Sequence, residues 1–169
     1  MSQPQHNDYA PYFSNYVSRV QAGSLKEAIN TYSQSLQDFY TTLPEDKADY
    51  SYAAGKWTLK DLLQHVIDTE RIMSYRVLRI SREDQTPLAS FDENNYAVSA
   101  AAGKRSFADI KAEFVALRKS TDLLLQSLSE EQLSHAGTAS GHRATANAIG
   151  FIIFGHMLHH KQIIEERYL

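Results

Sequence analysis

No proline follows Pro87 in this chain of 169 residues, and the whole sequence holds only four prolines and seven glycines. Average usage would supply roughly twenty of the two together. Proline removes a backbone donor and clashes with the preceding turn, so a second half without it has no obligatory break and favours long helices. All-β architectures lose ground, because period-2 segments and glycine-rich turns are both missing.

Apolar residues recur at helical spacing in four segments. In the first, Ala28, Ile29, Tyr32, Leu36, Phe39, Tyr40 and Leu43 follow a Gly23-Ser24 stop and cap, and Pro44 closes the run. The second starts behind Thr58, a good N-cap with Asp61 in the first turn, and carries Leu62, Leu63, Val66, Ile67, Met73 and Val77 toward Arg82. The third is capped by Ser106 and has its stripe in Phe107, Ile110, Phe114, Leu117, Leu124 and Leu125. The fourth runs from about Thr145 to Tyr168, after a short turn with a Ser129/Gln132 capping box and a polar loop through Gly137, Gly141 and His142. Residues 83–105 read as a long connection without regular structure, of the kind that forms lids. Residues 1–24 form an N-terminal extension, and 25–169 form a single all-α domain. Four helices of about 20 residues fit a four-helix bundle.

Seventeen basic residues against twenty acidic ones leave a net charge of −3, which offers no footprint for a phosphate backbone and excludes nucleic acid as an expected partner. The absence of cysteine rules out disulfides, thiolate metal sites and a cysteine nucleophile, so any metal must be held by nitrogen and oxygen. The longest apolar run, Ala148 to Gly155, is too short to span a membrane. With no signal-like N-terminus, a cytoplasmic protein is expected.

Chemistry concentrates in the histidines. On a helical wheel at about 100° per residue, His156 and His160 both interrupt the apolar stripe of the last helix, about 40° apart, while His159 lies about 60° from His156 at the edge of that face. His65, on the second helix, points the same way as Thr69, Ile72 and Arg76, into the bundle. Imidazoles at i and i+4 can share one cation, and a third from another helix would complete a facial set suited to zinc, nickel, copper or iron. The alternative is a group of satisfied core histidines. That reading requires partners for every buried ring nitrogen, and the flanking isoleucines supply none.

Three stretches, Gly55-Lys56-Trp57-Thr58, His65-Val66-Ile67-Asp68-Thr69-Glu70-Arg71 and Gly155-His156-Met157-Leu158-His159-His160, resemble the DinB-like family of DNA-damage-inducible and related proteins, described as metal-dependent hydrolases. The resemblance spans about residues 25–168. It implies an up-down-down-up four-helix bundle, frequently a homodimer, with one divalent zinc or nickel ion on His65, His156 and His160 and with His159 outside the ligand set. Some relatives transfer low-molecular-weight thiols, so a small thiol is a possible cosubstrate beside a small-molecule substrate. Tyrosines near the ends of the first two helices suit the partly wet interface of a dimer.

Three protein ligands leave a coordination position open, as catalytic sites require. With no cysteine and no nucleophile elbow, the expected chemistry is metal-activated hydrolysis or thiol transfer without a covalent protein intermediate. Asp68, one turn from His65, is a candidate proton shuttle, and Asp61 and Asp68 are candidates to orient the His65 ring. Arg76 and Arg79 are candidates to bind an anionic substrate group, unless they pair with Asp92, Glu93 or another internal carboxylate. Trp57 and Tyr75 read as core or interface aromatics, and His6, His135 and His142 as solvated. The competing function is a non-catalytic metal-binding stress protein or dimeric scaffold, for which a sealed rather than solvent-reachable metal site would speak.

Overall fold

A computed structural model describes residues 1–169. Its helices are α1 (Ser14–Val17), α2 (Leu25–Thr41), α3 (Leu59–Ser81), α4 (Glu93–Ala100), α5 (Phe107–Ser127), α6 (Glu130–Ser134) and α7 (Ala146–Arg167), with strands β1 (Ala136–Ala139) and β2 (His142–Thr145) before the last helix. The four long helices, α2, α3, α5 and α7, form the expected bundle. Their starts are those anticipated: Ser24, Thr58, Ser106 and Thr145 each accept a hydrogen bond from a backbone N–H of the first turn.

Side-chain contacts between the helices fix their directions. Leu25 meets Gly150, and the Tyr40 hydroxyl donates to the Met157 carbonyl, so α2 and α7 run parallel. Lys111 reaches the Leu43 carbonyl while Ser33 donates to Asp122, so α5 runs against α2. Arg105 donates to Gln64 and Arg118 to Glu70, so α3 and α5 are parallel. His65 meets His160 at one end of the α3–α7 pair and Ser81 meets His135 beyond the other, so these two are antiparallel. The bundle is therefore up-down-down-up. One cluster of 39 buried apolar residues fills it.

Two segments depart from the sequence expectation, and the N-terminal extension packs onto the bundle. The 83–105 connection contains α4, capped by Asp92 and ended by Ala101 in the left-handed region. None of its eight residues is buried, so it has no apolar stripe for periodicity to detect. The polar loop before α7 is a β-hairpin whose two-residue turn, Ser140-Gly141, has both residues at positive φ, the signature of a type I′ turn. Leu88 pairs with Thr138 and Ser140 along its edge and so ties the 83–105 connection to the hairpin. Residues 1–24 lie on the bundle, with Tyr9, Val17, Val20 and Ala22 in the common core. A Cβ on Gly155 would sit 2.0 Å from the Tyr16 carbonyl oxygen, so only glycine lets the N-terminal segment lie this close to α7.

Candidate metal centre

The antiparallel α3–α7 pair brings His65, His156 and His160 together. Their Nε2 atoms lie 3.0 Å (His65 to His156), 3.2 Å (His65 to His160) and 3.1 Å (His156 to His160) from one another. The i, i+4 spacing stacks two rings one turn apart on α7, and the matching height of His65 on α3 supplies the third.

Hydrogen bonding cannot account for this triangle. A ring nitrogen of a neutral imidazole is either donor or acceptor. Among three mutually close nitrogens, two must be alike and repel. Protonation offers no escape, because burial together with neighbouring histidines lowers the His65 pKa to about 4 and that of His160 to about 2, and holds His156 well below the usual value. Neutral rings with converging lone pairs are what a borderline cation requires, so the donor set fits a transition metal. No other His, Cys, Asp or Glu belongs to the cluster.

The triangle faces a cavity of about 540 Å³. Trp57 lies against His65 with ring centres 4.8 Å apart, and Tyr16 meets His156 edge-on at 5.6 Å. Both aromatics line the cavity, with Met73 and Ile152 completing its apolar wall. Burial raises the Tyr16 phenol to about 12, so it remains a neutral donor.

A model of the DinB superfamily matches residues 29–164. The chain belongs to the DinB superfamily. A protein of Oceanobacillus iheyensis, named provisionally as a metal-dependent hydrolase, is 27% identical over 71 residues, covering 41% of this chain and 40% of its own length. The match thus spans well under half of that curated relative. Among solved structures, YfiT from Bacillus subtilis, described provisionally as a metal-dependent hydrolase with an unusual four-helix bundle topology, superposes with a TM-score of 0.67 at 20% identity, covering 83% of this chain and 86% of its own. A mycothiol-dependent maleylpyruvate isomerase gives 0.66 at 17% identity, with 82% of this chain and 59% of that one covered. The DinB-like YjoA of B. subtilis gives 0.55 at 16% identity, with 80% and 82% covered. At these identities the solved structures establish the fold.

The other candidate residues of this DinB-superfamily chain separate. Asp61 is consumed by the α3 cap, where its carboxylate accepts from the Thr58 backbone N–H and hydroxyl, so it does not orient His65. Asp68 accepts from Gln64 Nε2 at 3.0 Å and lines a separate groove between α3 and α4. Burial raises its pKa. Its place three residues after His65 puts it about 60° off the histidine's direction, enough to face a different neighbour. Arg79 pairs with Asp84 and bonds Tyr75, and it does not line the metal cavity, because the chain folds back immediately after α3. Arg76 does line it, buried, and is paired with neither Asp92 nor Glu93.

His159 stays outside the triangle, edge-on to Tyr16 at 5.4 Å. His135 is half-buried rather than solvated, its Nδ1 3.0 Å from the Ser81 carbonyl, while His142 is exposed yet reaches the cavity rim. Sequence reasoning missed Tyr16, which had no periodic or spacing signal. It undervalued Trp57, for which the Gly55-Lys56-Trp57-Thr58 stretch was the available signal.

Proposed function

We propose that this protein is a metal-dependent enzyme acting on small molecules, in which His65, His156 and His160 hold one divalent zinc or nickel ion through their Nε2 atoms. The observation that carries the reading is the convergence of three neutral imidazole nitrogens on a cavity rather than on closed core. This openness also favours an enzyme over a metal-storage or scaffold protein. A bound ion of this kind lowers the pKa of a bound water or thiol and polarises a carbonyl.

The chain's own contribution is positional. Trp57 restrains the His65 ring, Tyr16 restrains His156, and Met73 and Ile152 keep bulk water off the reacting groups. No side chain on the lining is set up as a nucleophile. Cysteine is absent, and Ser140 Oγ accepts from Arg76 and donates to no base that could take its proton. Asp68 is left out of the proton path because its carboxylate faces the other groove. Hydrolysis and small-thiol transfer both suit this arrangement, the former supported by the description of YfiT and the latter by the mycothiol-dependent relative.

We place the protein in the cytoplasm, as a homodimer without nucleic-acid partners. The net charge of −3, the absence of any helix long and apolar enough to cross a membrane, and the exposed Tyr75, Leu78, Tyr96 and Val98 support this setting. Sedimentation at micromolar concentration tests the dimer.

Elemental analysis of purified protein, followed by assays of metal-loaded and metal-free forms against ester, amide and thiol-acceptor panels, tests the reading. One equivalent of transition metal and a turnover that is lost on chelation and restored on reloading are expected. Failure to take up zinc or nickel, or activity undiminished in the His65→Ala variant, would overturn it.

A further inference from the structure

Arg76 is the unusual group in the metal cavity. It retains 3% of its surface, yet no carboxylate lies within ion-pair distance. Its Nη2 donates to the Ala89 carbonyl at 2.7 Å and to Ser140 Oγ at 2.9 Å, and Nη1 touches the Met73 sulfur at 3.7 Å. All three partners are neutral. A guanidinium carries five N–H donors and cannot shed its charge, so Nε and part of Nη1 remain without a strong acceptor. Every other buried arginine or lysine in the molecule has an acid: Arg118 has Glu70 and Asp122, and Lys60 has Asp49. A buried cation without a counter-ion is costly, and binding sites are where such a cost is retained.

The intervening surface supports a ligand-binding role. His65, Thr69, Met73 and Arg76 form one face of α3, and all four line the same cavity. Thr69 is buried, and its hydroxyl has no hydrogen-bond partner. Arg76 lies about three turns beyond His65 along α3, so a molecule serving both ends must reach along the cavity wall past Thr69 and Met73. Glu93 is the one acid on the lining; it is exposed and does not pair with Arg76.

We propose that Arg76 anchors a carboxylate of an elongated small-molecule substrate whose reacting group lies at the histidine cluster, with Thr69 and Met73 along the track between them. Arginine suits the task because its planar fork matches a carboxylate with two parallel hydrogen bonds. The proposal rests on the metal-centre reading for the far end of the substrate, while the anchor itself rests on Arg76 alone.

The test uses the 169-residue chain loaded with cobalt, whose spectrum reports thiolate binding directly. Mercaptocarboxylates of graded chain length are titrated beside mercaptoalcohols of equal length. The acid is expected to bind about tenfold more tightly or better at one spanning length, the scale of a charge-assisted pair. Arg76→Met should abolish that preference while leaving the alcohol's affinity unchanged. Equal affinities at every length, a preference that survives Arg76→Met, or a parallel loss of both ligands would overturn the proposal, the last because it marks Arg76 as a tether only. Should Arg76→Met not fold, Arg76→Lys carries the test: its shorter cation must move the optimum to a longer acid, and an unchanged optimum overturns the anchor. If cobalt is not taken up, the metal-centre reading fails separately. The anchor is then decided on metal-free protein, where hexanoate must raise the melting temperature above the effect of hexanol in wild type and not in the variant.

Discussion

Two polar clusters interrupt the core of this bundle, and they are built on opposite principles. In the first, Arg118 on α5 donates to Glu70 on α3 at 2.7 Å, pairs with Asp122, and lies over the Phe154 ring of α7, while Ser33 of α2 donates to Asp122. Four helices are joined there by groups of complementary charge, with both members of the central pair 1% exposed. In the second, three chemically identical groups face one another beside an open cavity. The first cluster is matched in charge within the chain, although Glu70 Oε2 and Arg118 Nε make no hydrogen bond. The second is complementary to something else, and this contrast separates a polar group kept for architecture from one kept for chemistry.

Arg118→Ala should cost about 3–5 kcal/mol in urea unfolding, because Glu70 is left buried without its cation. The double replacement of Glu70 and Arg118 by methionine should recover most of that loss. A single variant that unfolds like wild type would show the pair to be dispensable. At the histidine cluster, stability should instead follow the ion: zinc at a hundredfold excess over its dissociation constant should add about 2.7 kcal/mol, and chelation should remove it. Unchanged melting with and without metal would dissolve the distinction between the clusters.

In metal-free protein, His160→Leu should keep stability within about 1 kcal/mol of wild type or raise it, since one repulsive contact between like nitrogens is gone, while metal uptake is lost. A large destabilisation of the metal-free form would mean that the histidines serve the fold. Asp68→Asn should change stability by no more than about 0.5 kcal/mol and leave metal affinity unaltered, as measured by competition with a chromogenic chelator. A clear loss of affinity would return Asp68 to the site.

How much of this was legible in the sequence depends on the range of the signal. The four long helices announce themselves through apolar stripes and through Ser24, Thr58, Ser106 and Thr145, each of which caps within its own first turn. The histidine cluster is legible because two of its members share a helix at i, i+4 and the third lies on an inward stripe. What escaped has no local period. Helix α4 buries nothing, the hairpin strands have four residues each, and Asp68 and Arg79 differ from Arg76 by partners that only the folded chain supplies. The Tyr16 contact depends on a glycine in α7, at the other end of the chain.

That contact bears on the order in which the molecule can be finished. Tyr12, Phe13 and Tyr16 form one wall of the cavity, and their seat is the notch at Gly155 in the final helix, which also carries two of the three histidines. During synthesis these aromatics leave the ribosome early and have nowhere to dock until the last helix has been made. The cavity therefore cannot close before α7 is made, and because α7 also supplies buried residues to the one core, the same helix completes both the bundle and the chamber.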